Sequence, residues 1–218
     1  MNGLRLTYVI IAICAFVFFV LEGSDALIPH LVLIPMDLLA RPWTILTSMF
    51  AHADLEHIFF NMFALFMFGS ILENRIGSGR FIFLYLMAGV LGSVGFMLLN
   101  SPDSSALGAS GAIYGILGAL MILMPNMSVY MYFIPIPMWL AGPIYALIEI
   151  FALGRVDSIA HSAHILGFFG GALLALRESQ AWPPKPLMEL WKAIAIPVVV
   201  SLIVAVIFGL LYSSFAGV

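Results

Sequence analysis

Cysteine is nearly absent: among 218 residues only Cys14 carries a thiol. A single cysteine excludes an internal disulfide and any thiolate-based structural zinc site. Charge is scarce as well. Lys and Arg number 8 and the acids 11, so 9% of the chain is charged, against roughly 25% in a soluble domain. A net charge of −3 gives no basic surface for nucleic acid. Linkers, low-complexity tails and internal repeats are also missing, and no stretch is polar enough to be a soluble domain.

What remains is grease: 63% of residues are apolar and the mean hydropathy is +1.14. Such a chain lacks the polar surface to stay in water, which makes it an integral membrane protein. A span needs about 20 mostly apolar residues. Suitable runs lie near 5–21, 57–73, 81–99, 108–125, 128–153, 159–176 and 193–214. The expected fold class is therefore all-α, a polytopic membrane helix bundle forming one transmembrane domain over residues 1–218. Pro102, Pro125, Pro183, Pro184 and Pro186 mark helix boundaries. Pro135, Pro137 and Pro143 fall inside or beside the fifth run, so that helix is kinked or starts late. The first run follows Arg5, but "LEGSDALIPH" after it offers no small-x-small cleavage site, so it reads as a retained anchor.

Basic residues in short loops set the orientation. With the N-terminus cytoplasmic, the inner segments hold Arg5, Arg75, Arg80, Arg177, Lys185 and Lys192, and the outer ones only Arg41 and Arg155. In that arrangement Ser110 lies just inside the outer end of the fourth span, and His161 with His164 just inside that of the sixth. His57 and Asn61 enter the second span from the same side. At about 1.5 Å per residue, each group sits within roughly 10 Å of the surface.

Singly, each polar group has a plain reading. A serine bonds back to its own helix or packs helices together, and a lone histidine lines an interface. On those terms Ser110, His52 and His161 would be structural. Together they point elsewhere, because intramembrane polar groups are expensive and mark function. His57 and Asn61, four apart, share one helix face. Gly111, Gly115 and Gly118 in the fourth span, and Gly167 and Gly171 in the sixth, have the small-xxx-small spacing of close helix packing.

A serine hydroxyl attacks only when a base takes its proton, and the resulting oxyanion needs fixed donors. Ser110, one histidine of the sixth span, and the His57/Asn61 stripe fill those roles. The nearest acids in sequence, Asp157 and Glu149, fall at or below the helix mouth, so a dyad is expected rather than a triad. Two rivals use the same residues. A transporter would place polar groups on both sides of the midplane, whereas these cluster in the outer half. A zinc site would use His57, His161 and His164, but the sequence has no His-Glu-x-x-His and no carboxylate base beside them.

With "HADLEHIFFN" at 52–61, "ENRIGSGR" at 73–80, "GASGAIYG" at 108–115 and "AHSAHILGFFGG" at 160–171, the sequence over roughly 41–176 resembles the rhomboid family of intramembrane serine proteases. The resemblance implies a six-helix core over about 5–176, plus here a C-terminal helix at about 193–214. It implies that Ser110 is the nucleophile and His164 its general base, with His161 lining a water-accessible mouth. His57, Asn61 and the Ser110 N–H would line the oxyanion hole, and Gly108 and Gly111 would support it. Tyr114 would pack on the catalytic imidazole, Glu73 would tie down the first loop, and His52 would be structural there. The family often has Trp-Arg in that loop, whereas here Trp43 is followed by Thr44 and preceded by Arg41. A non-catalytic relative would usually have lost Ser110 or His164, and neither is lost. The implied partners are the lipid bilayer and transmembrane protein substrates entering laterally past the fifth helix, softened by Pro135, Pro137, Gly142 and Pro143. No cofactor, metal or nucleic acid is implied. The implied location is the membrane of a bacterial or archaeal cell, with the site opening away from the cytoplasm.

Overall fold

A computed structural model describes residues 5–23, 27–131, 133–155 and 158–178. The expected seventh helix at 193–214 lies outside them, as do Asp157, Lys185 and Lys192. The chain is mostly helical: α1 Leu6–Glu22, α2 Leu55–Ile76, α3 Ser78–Leu99, α4 Ser110–Leu123, α5 Met138–Ala152 and α6 His161–Glu178. Two of these, α2 and α3, are long and apolar enough to cross a bilayer unaided, and the others are apolar but shorter. α2 runs unbroken through a π-helical turn at Leu65–Gly69. Gly77, at φ 83°, then lets α3 begin one residue after α2 ends.

The fifth apolar run is not one helix. Its first part folds into an antiparallel hairpin, β1 Ser128–Met131 with β2 Ile134–Pro137, and α5 starts only at Met138. Of a kink and a late start the structure has the late start, and the sequence "IPIP" explains the strand before it. Proline at alternate positions puts both missing N–H groups on one edge of the strand, where no ladder bond is needed. Pro135 and Pro137 therefore lie at the foot of α5, and only Pro143 sits inside it.

α4 is the central helix: between Gly111 and Ile122 every residue but Tyr114 is buried. An apolar all-round helix of this kind belongs in the middle of a bundle. The outward faces of α1 and α2 instead expose Phe16, Phe19, Phe59, Phe60, Phe63 and Phe66, as a lipid-facing surface should. The tightest contact is between α4 and α6. A Cβ on Gly171 would stand 2.0 Å from the Gly115 carbonyl oxygen, one on Gly167 2.1 Å from that of Gly111, and one on Gly118 2.1 Å from that of Phe168. The backbones themselves are in contact, and no other residue fits.

At the far end Glu73, buried at the end of α2, caps α1. Its carboxylate accepts the N–H of Leu6 at 2.8 Å and of Thr7 at 2.9 Å, and the hydroxyls of Thr7 at 2.6 Å and Ser78 at 2.5 Å. Glu73 thus satisfies the open donors of a helix start. It does not tie down the first loop, which is held by other residues. Arg41 Nη1 donates to the Pro29 carbonyl at 3.1 Å and pairs with Asp37 at 3.2 Å, and Trp43 Nε1 donates to the His30 carbonyl at 3.0 Å.

Gly171→Ala should lower stability by about 2–3 kcal/mol, since an added methyl must push two backbones apart. Gly79, with open space around its Cα, is the control: Gly79→Ala should be neutral or gain up to ~1 kcal/mol of helix propensity. Denaturant unfolding in detergent micelles measures both. Equal stability of the two variants would refute backbone contact.

Candidate active site

Ser110 is the first residue of α4, and the chain before it is pinned from three sides. Leu33 and Ala106 exchange backbone hydrogen bonds at 3.0 and 2.9 Å, Gly108 N–H donates to the Ser48 carbonyl at 2.9 Å, and Ala109 N–H to His52 Nε2 at 3.4 Å. Gly108 is required twice over. Its φ of 119° disfavours any side chain, and a Cβ there would stand 2.7 Å from His57 Nε2. The same virtual Cβ lies 3.8 Å from Ser110 Oγ, so the imidazole of His57 and the serine hydroxyl flank one point.

Asp54 accepts the N–H of His57 at 2.7 Å and so caps α2, which fixes where the polar stripe begins. His57 Nδ1 faces the Ala53 N–H at 3.5 Å, which leaves Nε2 as the protonated nitrogen. Asn61 donates back to the His57 carbonyl at 2.9 Å, and its Oδ1 is buried without a partner. A cavity of about 30 Å³, lined in part by Ser110, Gly111, Ser48 and Ser93, adjoins the serine. It has room for about one water.

α6 starts at His161 and runs parallel to α4 along the glycine contact, which brings His164 level with Ser110. His164 Nε2 is 2.7 Å from Ser110 Oγ. Tyr114, one turn after the serine, stacks on the His164 ring at 4.3 Å and 10°. A hydroxyl held on the bare nitrogen of an imidazole can pass its proton to that ring. The geometry thus separates the two histidines of α6, because only His164 is bonded to Ser110.

The surroundings of His161 differ from expectation. It is buried, not at a wet mouth, and its Nδ1 lies 2.6 Å from Glu149 Oε2. Sequence position puts Glu149 at or below the helix mouth, whereas the structure brings it to the site. α5 runs antiparallel to α4, so its C-terminal half returns to the level of Ser110. There Glu149 is buried, bonds the Tyr114 hydroxyl through Oε1, and places Oε2 3.1 Å from His164 Nδ1. That last contact is close but does not have the alignment of a hydrogen bond. The sequence held one signal for it, a carboxylate within the apolar stretch "LIEIF".

Donor atoms of Glu149, His161 and His164 lie within 4.8 Å of one another and could take a divalent cation. Two of the separations, 2.6 Å from Glu149 Oε2 to His161 Nδ1 and 3.1 Å to His164 Nδ1, are those of groups in direct contact with one another. The carboxylate is already hydrogen-bonded to the His161 ring and the Tyr114 hydroxyl, with His164 Nδ1 beside it. His57 is not part of this group, so the zinc trio of His57, His161 and His164 is not assembled.

A family model described as Rhomboid domain matches residues 39–181. The chain is 35% identical over 190 residues to rhomboid protease GluP of Bacillus subtilis, covering 81% of this chain and 36% of that one. It is 30% identical over 140 residues to putative rhomboid protease YdcA of the same organism, covering 61% and 65%. Rhomboid protein 1, mitochondrial, of Saccharomyces cerevisiae is 30% identical over 159 residues, covering 68% and 45%. The chain thus spans between about a third and two thirds of the length of these relatives. Because they include a mitochondrial protein, likeness alone selects no bacterial or archaeal membrane.

His52, in the turn before α2, is held at about 4, below the ordinary 6.5, by burial and by the neighbouring His57. An unfolded imidazole gains its proton below about 6.5. The unfolded chain therefore binds more protons as pH falls, and stability present above 6.5 drains away toward 4, by on the order of 3 kcal/mol at most. His52→Gln, whose Oε1 can still accept from Ala109, should show a shallower loss of unfolding free energy between pH 7 and 4.5. Identical slopes would remove His52 from this account.

Proposed function

The chain belongs to the rhomboid family, and we propose that it is an intramembrane serine protease cutting transmembrane segments of other membrane proteins. The observation that carries the reading is the 2.7 Å approach of His164 Nε2 to Ser110 Oγ. The relatives named as rhomboid proteases support it.

In this mechanism Ser110 Oγ bonds to the scissile carbonyl carbon while its proton moves to His164 Nε2. The carbonyl oxygen becomes an oxyanion, stabilised by His57 Nε2–H, Asn61 Nδ2–H and the Ser110 backbone N–H. Collapse expels the amine, which leaves with the proton from His164, and Ser110 is left as an ester. Water then gives a proton to His164 and attacks the ester. The ring returns that proton to Oγ as the acid departs. Tyr114 keeps the imidazole in plane by stacking on it, and Gly108 leaves space for His57.

A substrate helix hides its carbonyls in its own hydrogen bonds and must open before Ser110 can reach one. Helix-weakening residues near the cut therefore favour cleavage. The proposed topology is N-terminus cytoplasmic with the site facing away from the cytoplasm, on the strength of the loop arginines and lysines. Lateral entry past α5 remains the proposed route. Pro135 and Pro137 do not serve it, since they lie in the hairpin at the opposite end of α5.

Cleavage of a transmembrane reporter in liposomes tests the reading. Ser110→Ala and His164→Ala should each abolish it, and His57→Ala or Asn61→Ala should lower kcat about 10²–10³-fold. Activity that survives in the Ser110 variant ends the proposal.

A further inference from the structure

Behind His164 the structure places an anion that a Ser-His pair does not require. We propose that Glu149 is a positioning residue for His164, fixing its tautomer and facing the positive charge that the ring acquires; this rests on reading Ser110 and His164 as the reacting pair.

A carboxylate taken out of water costs several kcal/mol unless it is paired, and an apolar helix such as α5 gains nothing structural from one. All the polar contacts of Glu149 converge on the site. Oε1 meets the Tyr114 hydroxyl, and Oε2 meets His161 Nδ1 at 2.6 Å and His164 Nδ1 at 3.1 Å. Tyr114 also stacks on His164. Tyrosine, carboxylate and imidazole thus touch one another in turn, with the plane of the ring set by the Tyr114 stack and its Nδ1 edge turned to the carboxylate.

The chemistry follows from where the single ring proton sits. A neutral His164 can accept the proton of Ser110 only if Nε2 is bare, so its own proton must be on Nδ1. An anion 3.1 Å from Nδ1 favours that tautomer. When the Oγ–H proton moves to Nε2 the ring becomes a cation, and Glu149 opposes it from the far edge without itself taking a proton. The fixed charge is in place before the transition state, where it acts most strongly. His161 holds the shared oxygen in position from the other side.

Glu149→Gln keeps the shape and removes the charge. In the full chain in detergent it should lower kcat on a transmembrane reporter, and the rate of fluorophosphonate labelling of Ser110, about 10²-fold or more. KM should move less than threefold, the melting temperature should hold, and Glu149→Asp should recover part of the rate. In wild type, ¹⁵N spectra should show the His164 proton on Nδ1, and in Glu149→Gln a mixture of tautomers. The His164 signals are assigned by their loss in His164→Gln. Wild-type kcat and labelling in Glu149→Gln would overturn the proposal, as would a loss confined to KM or to the melting temperature. EDTA inactivation of the wild type, reversed by zinc, would overturn it in favour of a metal ligand. Should Ser110 react with the probe while no peptide is cut, the protease reading fails and labelling still decides the role of Glu149. Should Ser110 not react at all, the spectra decide, and an unchanged tautomer sinks it.

Discussion

Contact between two glycine-lined backbones is the constraint on which the rest of this structure depends. Where α4 meets α6, carbonyl oxygens of one helix stand where the other would carry a Cβ. Lipid tails are as apolar as leucine, so helices in a bilayer gain little by merely hiding apolar surface from it. Close approach supplies dispersion and weak Cα–H···O contacts instead. It also fixes distance. Gly111 follows Ser110 directly, and Gly167 stands one position short of a full turn after His164, so the seam that binds the helices also aligns the hydroxyl with the imidazole.

A second layer of control comes from outside the helices. The segment before α2 and the loop before α4 are bound to each other by the Leu33–Ala106 pairing, by Ser48 and by His52. Gly108 lets that loop turn sharply against His57. Three elements that are distant in sequence, α2, α4 and α6, thereby present their polar groups at one level. Glu149 adds a fourth, because α5 must return toward the end of the bundle from which α4 began.

Much of this was legible in the sequence. Scarcity of charge pointed to the membrane, glycine spacing to the helix pair, and polar residues at like depth to the meeting of Ser110 with His164 and His57. What stayed hidden depended on tertiary direction. Hydropathy cannot tell an apolar hairpin from the start of a helix; the prolines signal the late start at Met138, but nothing in them signals the hairpin before it. Glu73 was read by likeness as a tie for the first loop, yet its partners, Leu6 and Thr7, are nearly 70 residues away. Distance along the chain says nothing about which helix faces return to one place, so Glu149 is invisible as a partner of the site. Likeness to the family puts His161 at a wet mouth, whereas its partner is Glu149 on another helix.

Helix length carries a consequence of its own. With 14 residues, α4 is about 21 Å long, whereas the 22 residues of α3 reach about 33 Å. The hydrocarbon layer is about 30 Å thick. A central helix that much shorter than its neighbour leaves space within the bundle at one or both of its ends, and other parts of the chain must fill it. Lipid does not meet this enclosed helix, so the chain before Ser110 and the hairpin after Leu123 close its two ends.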